Sequence, residues 1–184
     1  GPEIGVASTK AFLGQVMALT MMALYIGRRR YLSQGYVRQL LQELDMIPDH
    51  VQSVLEQSER IKSVIEPFIT QENWLFLGRG YNYPVALEGA LKLKEISYIH
   101  AEGMSAAEMK HGPIALITPG MPVVVVATRN SQYDKVVSNI QEVRSRGGHV
   151  IAVATEGDSQ IEAICEEVLW VPEVSEPLQP LVTT

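Results

Sequence analysis

The densest chemistry in the sequence falls on one predicted helix, Pro84 to about Ile99. Glu88, Lys92 and Glu95 are spaced i, i+4, i+7, so a helix sets all three on one narrow stripe. Most of the remaining helix surface is apolar (Val85, Ala86, Leu87, Ala90, Leu91, Leu93, Ile96, Tyr98, Ile99), and Lys94 is its one other charge. That pattern predicts a largely buried helix, and buried charges must be paired. The stripe therefore reads in two ways. It is either a structural Glu–Lys–Glu ladder or an acid–base site, where a carboxylate beside an ammonium is tuned for proton transfer.

A second candidate is Lys110-His111-Gly112-Pro113. Ser105–Lys110 predicts one or two helical turns, after which Gly-Pro forces irregular backbone and leaves His111 near a loop. Histidine titrates near neutral pH and suits acid–base work, although a lone surface histidine is commonly inert. His50, His100 and His149 lack a comparable setting, and no His–carboxylate pair has metal-ligand spacing. A third candidate is Gly78-Arg79-Gly80, following the apolar strand Trp74–Leu77. Such a turn could bring backbone amides to a ligand, but no third glycine completes a dinucleotide fingerprint. A plain tight turn explains it equally well, and no NAD site is expected.

The elements that must position these residues divide into two groups. In the first part of the chain, Ser8-Thr9 can cap a helix running to about Gly27, a second helix covers Gln34–Met46, and a third begins near Pro48 and closes at Pro67. Its apolar positions Val51, Leu55, Ile61, Val64 and Ile65 repeat with helical spacing. From Asn73 onward, strands and helices alternate: strand Trp74–Leu77, helix Pro84–Ile99, strand Pro122–Ala127, helix Ser131–Arg146, strand His149–Ala154, short helix Asp158–Cys165, strand Glu167–Val171. Pro122–Ala127 is almost continuously β-branched, as a parallel strand buried on both faces requires. The alternation predicts an α/β fold with a mostly parallel sheet.

Composition narrows the function. The chain has 184 residues with 46% hydrophobic, ample for a core. Its 15 basic and 21 acidic residues give a net charge of −6, with no long basic run, which argues against a nucleic-acid surface. A phosphorylated small molecule stays open, because backbone amides can hold phosphate. A single cysteine, Cys165, excludes an internal disulfide framework and a cysteine-based zinc site, and reads as a small buried hydrophobe. Ala11–Gly27 is nearly all apolar, yet it contains Gln15 and Thr20, and its basic residues (Arg28, Arg29, Arg30) follow it rather than precede it. A helix buried inside a larger α/β protein fits that order better than a membrane span or a signal peptide.

Four segments give the sequence a specific resemblance: Glu3–Phe12 (EIGVASTKAF), Leu75–Gly80 (LFLGRG), Leu87–Glu102 (LEGALKLKEISYIHAE) and Lys110–Pro113 (KHGP). In this order they resemble the glucosamine-6-phosphate synthase family, the isomerising glutamine–fructose-6-phosphate aminotransferases, in their sugar isomerase (SIS) region. The resemblance implies a three-layer, flavodoxin-like sandwich on a mostly parallel sheet, preceded by helices of a preceding lobe. Residues 1–66 would be the end of a first SIS lobe with linking helices, and residues 67–184 most of a second. A glutaminase domain, a Ser/Thr-rich phosphate loop and a C-terminal tail would lie outside a chain cut at both ends.

The resemblance also implies roles. Glu95 matches the carboxylate that moves a proton between C1 and C2 of the open-chain sugar. His111 matches a histidine that assists ring opening from the neighbouring subunit of a homodimer. Lys92 matches a lysine that stabilises developing negative charge, with Glu88 in support, and Val6 and Ser8 match residues lining the sugar site. The implied partners are fructose 6-phosphate and glucosamine 6-phosphate, with no cofactor, no metal, no membrane and a cytoplasmic setting. The alternatives are a related SIS-domain sugar-phosphate isomerase or deglycase, and a non-catalytic sugar-phosphate sensor.

Overall fold

A computed structural model describes residues 7–184 of the chain. Its centre is a five-stranded sheet of β1 (Asn73–Gly78), β2 (His100–Ser105), β3 (Pro122–Ala127), β4 (His149–Thr155) and β5 (Glu167–Val171). All neighbouring strands pair in parallel, in the order β2-β1-β3-β4-β5. That is the flavodoxin-like order, with its topological switch between β1 and β3.

Alternation along the strands splits the core onto two faces. Leu75, Leu77, Val123, Val125, Val150 and Ala152 point to one side, against α5 (Tyr133–Ser145) and α6 (Ser159–Ile164). Trp74, Ala101 and Ile151 point to the other, against α4 (Asn82–Ser97) and α3 (Ser58–Ile65). On that second side α1 (Thr9–Gly27), α2 (Gln34–Leu55) and the short α7 (Pro180–Thr183) pack together near Val171. The result is the expected three-layer α/β sandwich. Strand β3 is buried along nearly its whole length, as its valine run requires.

Several local expectations need correction. The sequence divides the second and third helices at Pro48, but α2 runs unbroken through it to Leu55. Pro48 is exposed, so the missing N–H costs one hydrogen bond on the solvent side without ending the helix. The break comes instead at Glu56–Gln57, where the Gln57 side chain donates to the Trp170 carbonyl (2.8 Å) and ties the turn to edge strand β5. Ser8 flanks α1 at its N-cap position, but its side chain does not cap the helix.

The second correction is β2. Periodicity carries the helix to Ile99 and leaves Ser105–Lys110 as helical turns. Instead, α4 stops at Ser97, Tyr98 takes a left-handed conformation (φ 61°), and His100–Ser105 forms an edge strand. A turn follows, with a single 3-10 turn at Met109–His111.

Helix α1 is expected to be buried inside a larger α/β protein. Among its residues only Leu24 is buried, while Leu19, Met21, Met22, Tyr25 and Ile26 are exposed in this chain. By length and composition alone, α1 is long and apolar enough to cross a membrane.

Candidate active site

Small residues seat α4 on the sheet. Gly103 lies so close beneath the helix that a Cβ there would stand 2.7 Å from the Ala86 carbonyl oxygen. Ala86 and Ala90 are buried in the same interface, and a Cβ on Gly89 would meet the Phe76 ring at 3.0 Å. This close approach fixes the rotation of the helix and hence the direction of its polar stripe. The burial is one-sided: Leu87, Leu91 and Ile96 are exposed, so α4 is less buried than its sequence predicts.

The predicted stripe is assembled as an ion triplet. The Lys92 ammonium sits 2.8 Å from Glu95 Oε2 and 3.3 Å from Glu88 Oε1. The three side chains are 17%, 28% and 14% exposed respectively, partly shielded from water without being sealed from it. The hydrogen bond to Glu95 holds the Lys92 ammonium above its ordinary pKa, with Glu88 adding to the effect and partial desolvation opposing it. The chemical content is a carboxylate able to take a proton, with a fixed cation beside it for developing negative charge.

His111 takes no part in the triplet's hydrogen bond and ion pairs. His111 is exposed on its 3-10 turn beyond β2, followed by Gly112 at φ 145°. Among the described residues its side chain makes no hydrogen bond or ion pair, with the triplet or with anything else, whereas neighbouring Lys110 pairs with Glu142 at 2.6 Å. Ser8 sits at the start of α1, and Val6 lies outside the described residues.

Gly78 proves structural. A Cβ there would lie 2.1 Å from the Asn82 carbonyl oxygen, so only glycine lets α4 begin where it does. Gly80 takes φ 53°, the left-handed turn of a β–α connection.

Sequence reasoning missed a polar crevice at the carboxyl ends of β1 and β3, the switch point where α/β sheets usually hold ligands. Gln179, 2% exposed, is its centre. Its Oε1 accepts from Thr128 Oγ1 (2.7 Å), Asn130 Nδ2 (2.9 Å) and Asn82 Nδ2 (3.2 Å), while its Nε2 donates to the Arg129 carbonyl (2.7 Å). Beside it, Ser131 donates through N (3.2 Å) and Oγ (2.8 Å) to the Glu176 carboxylate. A cavity of about 440 Å³ opens here between Gly80, Tyr81, Ser131, Gln132, Glu176 and Pro180. The loop amide that an anionic ligand would take is thus already held by the chain's own carboxylate. Along α4, Glu88 is 6 residues from Asn82, about 9 Å at 1.5 Å per residue, and Glu95 is 13 residues away, about 20 Å, so the triplet runs along the helix away from the crevice. Only long-range pairing brings residues 82, 128 and 179 together, and no local pattern could have announced it.

A five-stranded parallel sheet with a helix carrying an ion triplet laid across one face defines a flavodoxin-like three-layer domain. Residues 68–184 match the SIS domain family, and the chain belongs to it. The whole chain is 57% identical to the glutamine–fructose-6-phosphate aminotransferase (isomerising) of Chlorobaculum tepidum and 52% identical to that of Thermus thermophilus, spanning 30% of the length of each. Among solved structures, the C-terminal domain of glucosamine-fructose-6-phosphate aminotransferase from Francisella tularensis is 40% identical, with a TM-score of 0.92. The match covers 99% of this chain and 52% of that one. A glucosamine-6-phosphate deaminase from Thermotoga maritima, at 22% identity and TM-score 0.65, shares the fold.

Proposed function

We propose that this chain is the isomerase portion of a glutamine–fructose-6-phosphate aminotransferase, which makes glucosamine 6-phosphate from fructose 6-phosphate and glutamine. One observation carries the reading: a chain 57% identical to such an enzyme along its whole length holds Glu88, Lys92 and Glu95 as one ion triplet on a single helix face. On this reading residues 1–66 close a first lobe with its linking helices, and residues 67–184 form the second lobe.

Chemically, ammonia condenses with the C2 carbonyl of the open-chain sugar and water leaves; Glu95 is then the base that takes the C1 proton of the resulting imine and returns it at C2. Lys92 steadies the enolate-like oxygen that develops between the two steps, and Glu88 holds the ammonium from its other side. The exposure of His111 on its turn supports a role toward a neighbouring subunit of a homodimer, where it would assist ring opening. Val6 and Ser8 would line the sugar. Proton transfer of this kind calls on no cofactor or metal. The glutaminase domain of the same parent chain would supply ammonia, and the setting would be the cytoplasm.

The test is Glu95→Gln in the full-length protein. Conversion of fructose 6-phosphate is expected to fall by about 10³-fold or more, with glutamine hydrolysis kept. Near wild-type conversion would refute the assignment.

A further inference from the structure

The chain carries a net charge of −6, yet the junction between α1 and α2 concentrates arginines. Arg28, Arg29 and Arg38 line a cleft of about 520 Å³, together with Leu32, Gln34 and Val37. Arg30 follows in the same turn. Elsewhere three arginines find acids: Arg60 pairs with Glu167 at 3.8 Å, Arg129 with Asp158 at 3.5 Å, and Arg144 with Glu166 at 3.1 Å; Arg79 donates to the Asn139 amide oxygen at 2.9 Å, and Arg146 pairs with no carboxylate among the described residues. Among the described residues no carboxylate pairs with Arg28, Arg29, Arg30 or Arg38. The guanidinium groups of Arg29 and Arg28 instead stack over Tyr25, at 4.5 and 5.7 Å from its centroid.

The helix dipole accounts for part of this cluster and not for the rest. Arg28–Arg30 follow the C-terminus of α1, where cations are favoured. Arg38 is different, because it sits just past the first turn of α2, at the end of the dipole that disfavours a cation. That first turn holds no acidic residue, and its N-cap, Ser33, is neutral. Guanidinium groups from the turn after α1 and from α2, plus the positive end of a 22-residue helix whose first residue lines the same cleft, suit an anion with several acceptor oxygens.

We propose that this cleft binds a small anion carrying a diphosphate group. Its volume is of small-molecule size, and three planar forks match the oxygens of two linked phosphates better than those of one. The diphosphate could be inorganic or esterified, and the two sources are separable by experiment. The inference is independent of the proton-transfer reading of α4.

The experiment is calorimetric titration of the full-length protein with inorganic pyrophosphate, with ADP, and with orthophosphate and sulfate at matched ionic strength. Pyrophosphate is expected to bind at one site per chain, and Arg38→Ala and Arg29→Ala each to weaken it about tenfold or more. Arg38→Lys, which keeps the charge and loses the fork, should weaken it less than Arg38→Ala. ADP binding as tightly as pyrophosphate would identify an esterified ligand, and much weaker ADP binding the inorganic one. Absence of pyrophosphate binding would overturn the proposal. So would affinity no better than that of orthophosphate or sulfate, or affinity untouched by both alanine variants. Arg29 and Arg38 are both exposed, so circular dichroism should report folded variants.

Discussion

Helices α1 and α4 are both apolar, and the sequence predicts burial for both, yet they end up in different places. Helix α4 is pressed onto β1 and β2, whereas α1 buries only Leu24. The difference is in the small residues rather than in overall apolarity. Beneath α4, Gly103 and the helix's own Ala86, Gly89 and Ala90 remove the bulk that would hold helix and sheet apart. Helix α1 meets only a narrow surface in this chain: Leu24 is buried against α2 and α7 with Leu13, Val16 and Met17 partly buried, while a Cβ on Gly14 would meet nothing within 4 Å and only Gly27, at its end, is closely approached, by Leu32. Apolarity supplies the drive to leave water, while shape decides where a helix can go.

The largest effect that could break this comparison is at Gly103. Gly103→Val should destabilise the chain by about 3 kcal/mol or more and spoil the seating of α4, because its Cβ would collide with the backbone of Ala86 and Leu87. Urea unfolding measures the loss, and a change under about 1 kcal/mol would mean the approach is not a constraint.

Next comes the charge that this seating half-shields. The pKa of Lys92 is raised in the folded chain, so its contribution to stability is present below the unfolded value of 10.5 and is lost as pH rises through the folded value. Denaturation curves of wild type and Lys92→Met should therefore differ at neutral pH and converge as pH rises past the raised folded value. A constant gap across that range would show that Lys92 acts through packing alone.

Smaller effects sharpen the same contrast. Tyr98 closes α4 at φ 61° and is 93% exposed, so Tyr98→Gly should raise stability by about 0.5 kcal/mol, read as a higher unfolding midpoint. Met22 on α1 is 58% exposed, and Met22→Lys should change stability in this chain by less than about 0.5 kcal/mol. A larger loss would show α1 to be engaged after all.

The sequence declared strands wherever burial on both faces demanded β-branched residues, as in Pro122–Ala127, and helices wherever caps and periodicity agreed. It hid β2, because His100-Ala-Glu-Gly-Met-Ser105 has neither an apolar run, as Trp74–Leu77 has, nor β-branched residues, and needs Gly103 for the helix above it. Pro48 misled for the opposite reason, since an exposed proline can sit within a long helix. Of the site, the triplet was legible because i, i+4, i+7 spacing is a local fact. The amide network of Asn82, Thr128 and Gln179 was not, since 97 residues separate its first member from its last. Cys165 is half-buried against the core rather than fully buried, and burial pushes its thiol up to about 12, leaving it a poor nucleophile.

Gln179 also bears on how the chain is made. A ribosome delivers the sheet, α4 and the β3–α5 loop first, and only afterwards the glutamine that satisfies Asn82, Thr128, Asn130 and the Arg129 carbonyl together. Until residue 179 has left the exit tunnel, those groups depend on water for their partners, and the carboxyl end of the sheet stays wet. The turn that carries Gln179 is therefore the stopper put in after the vessel is formed.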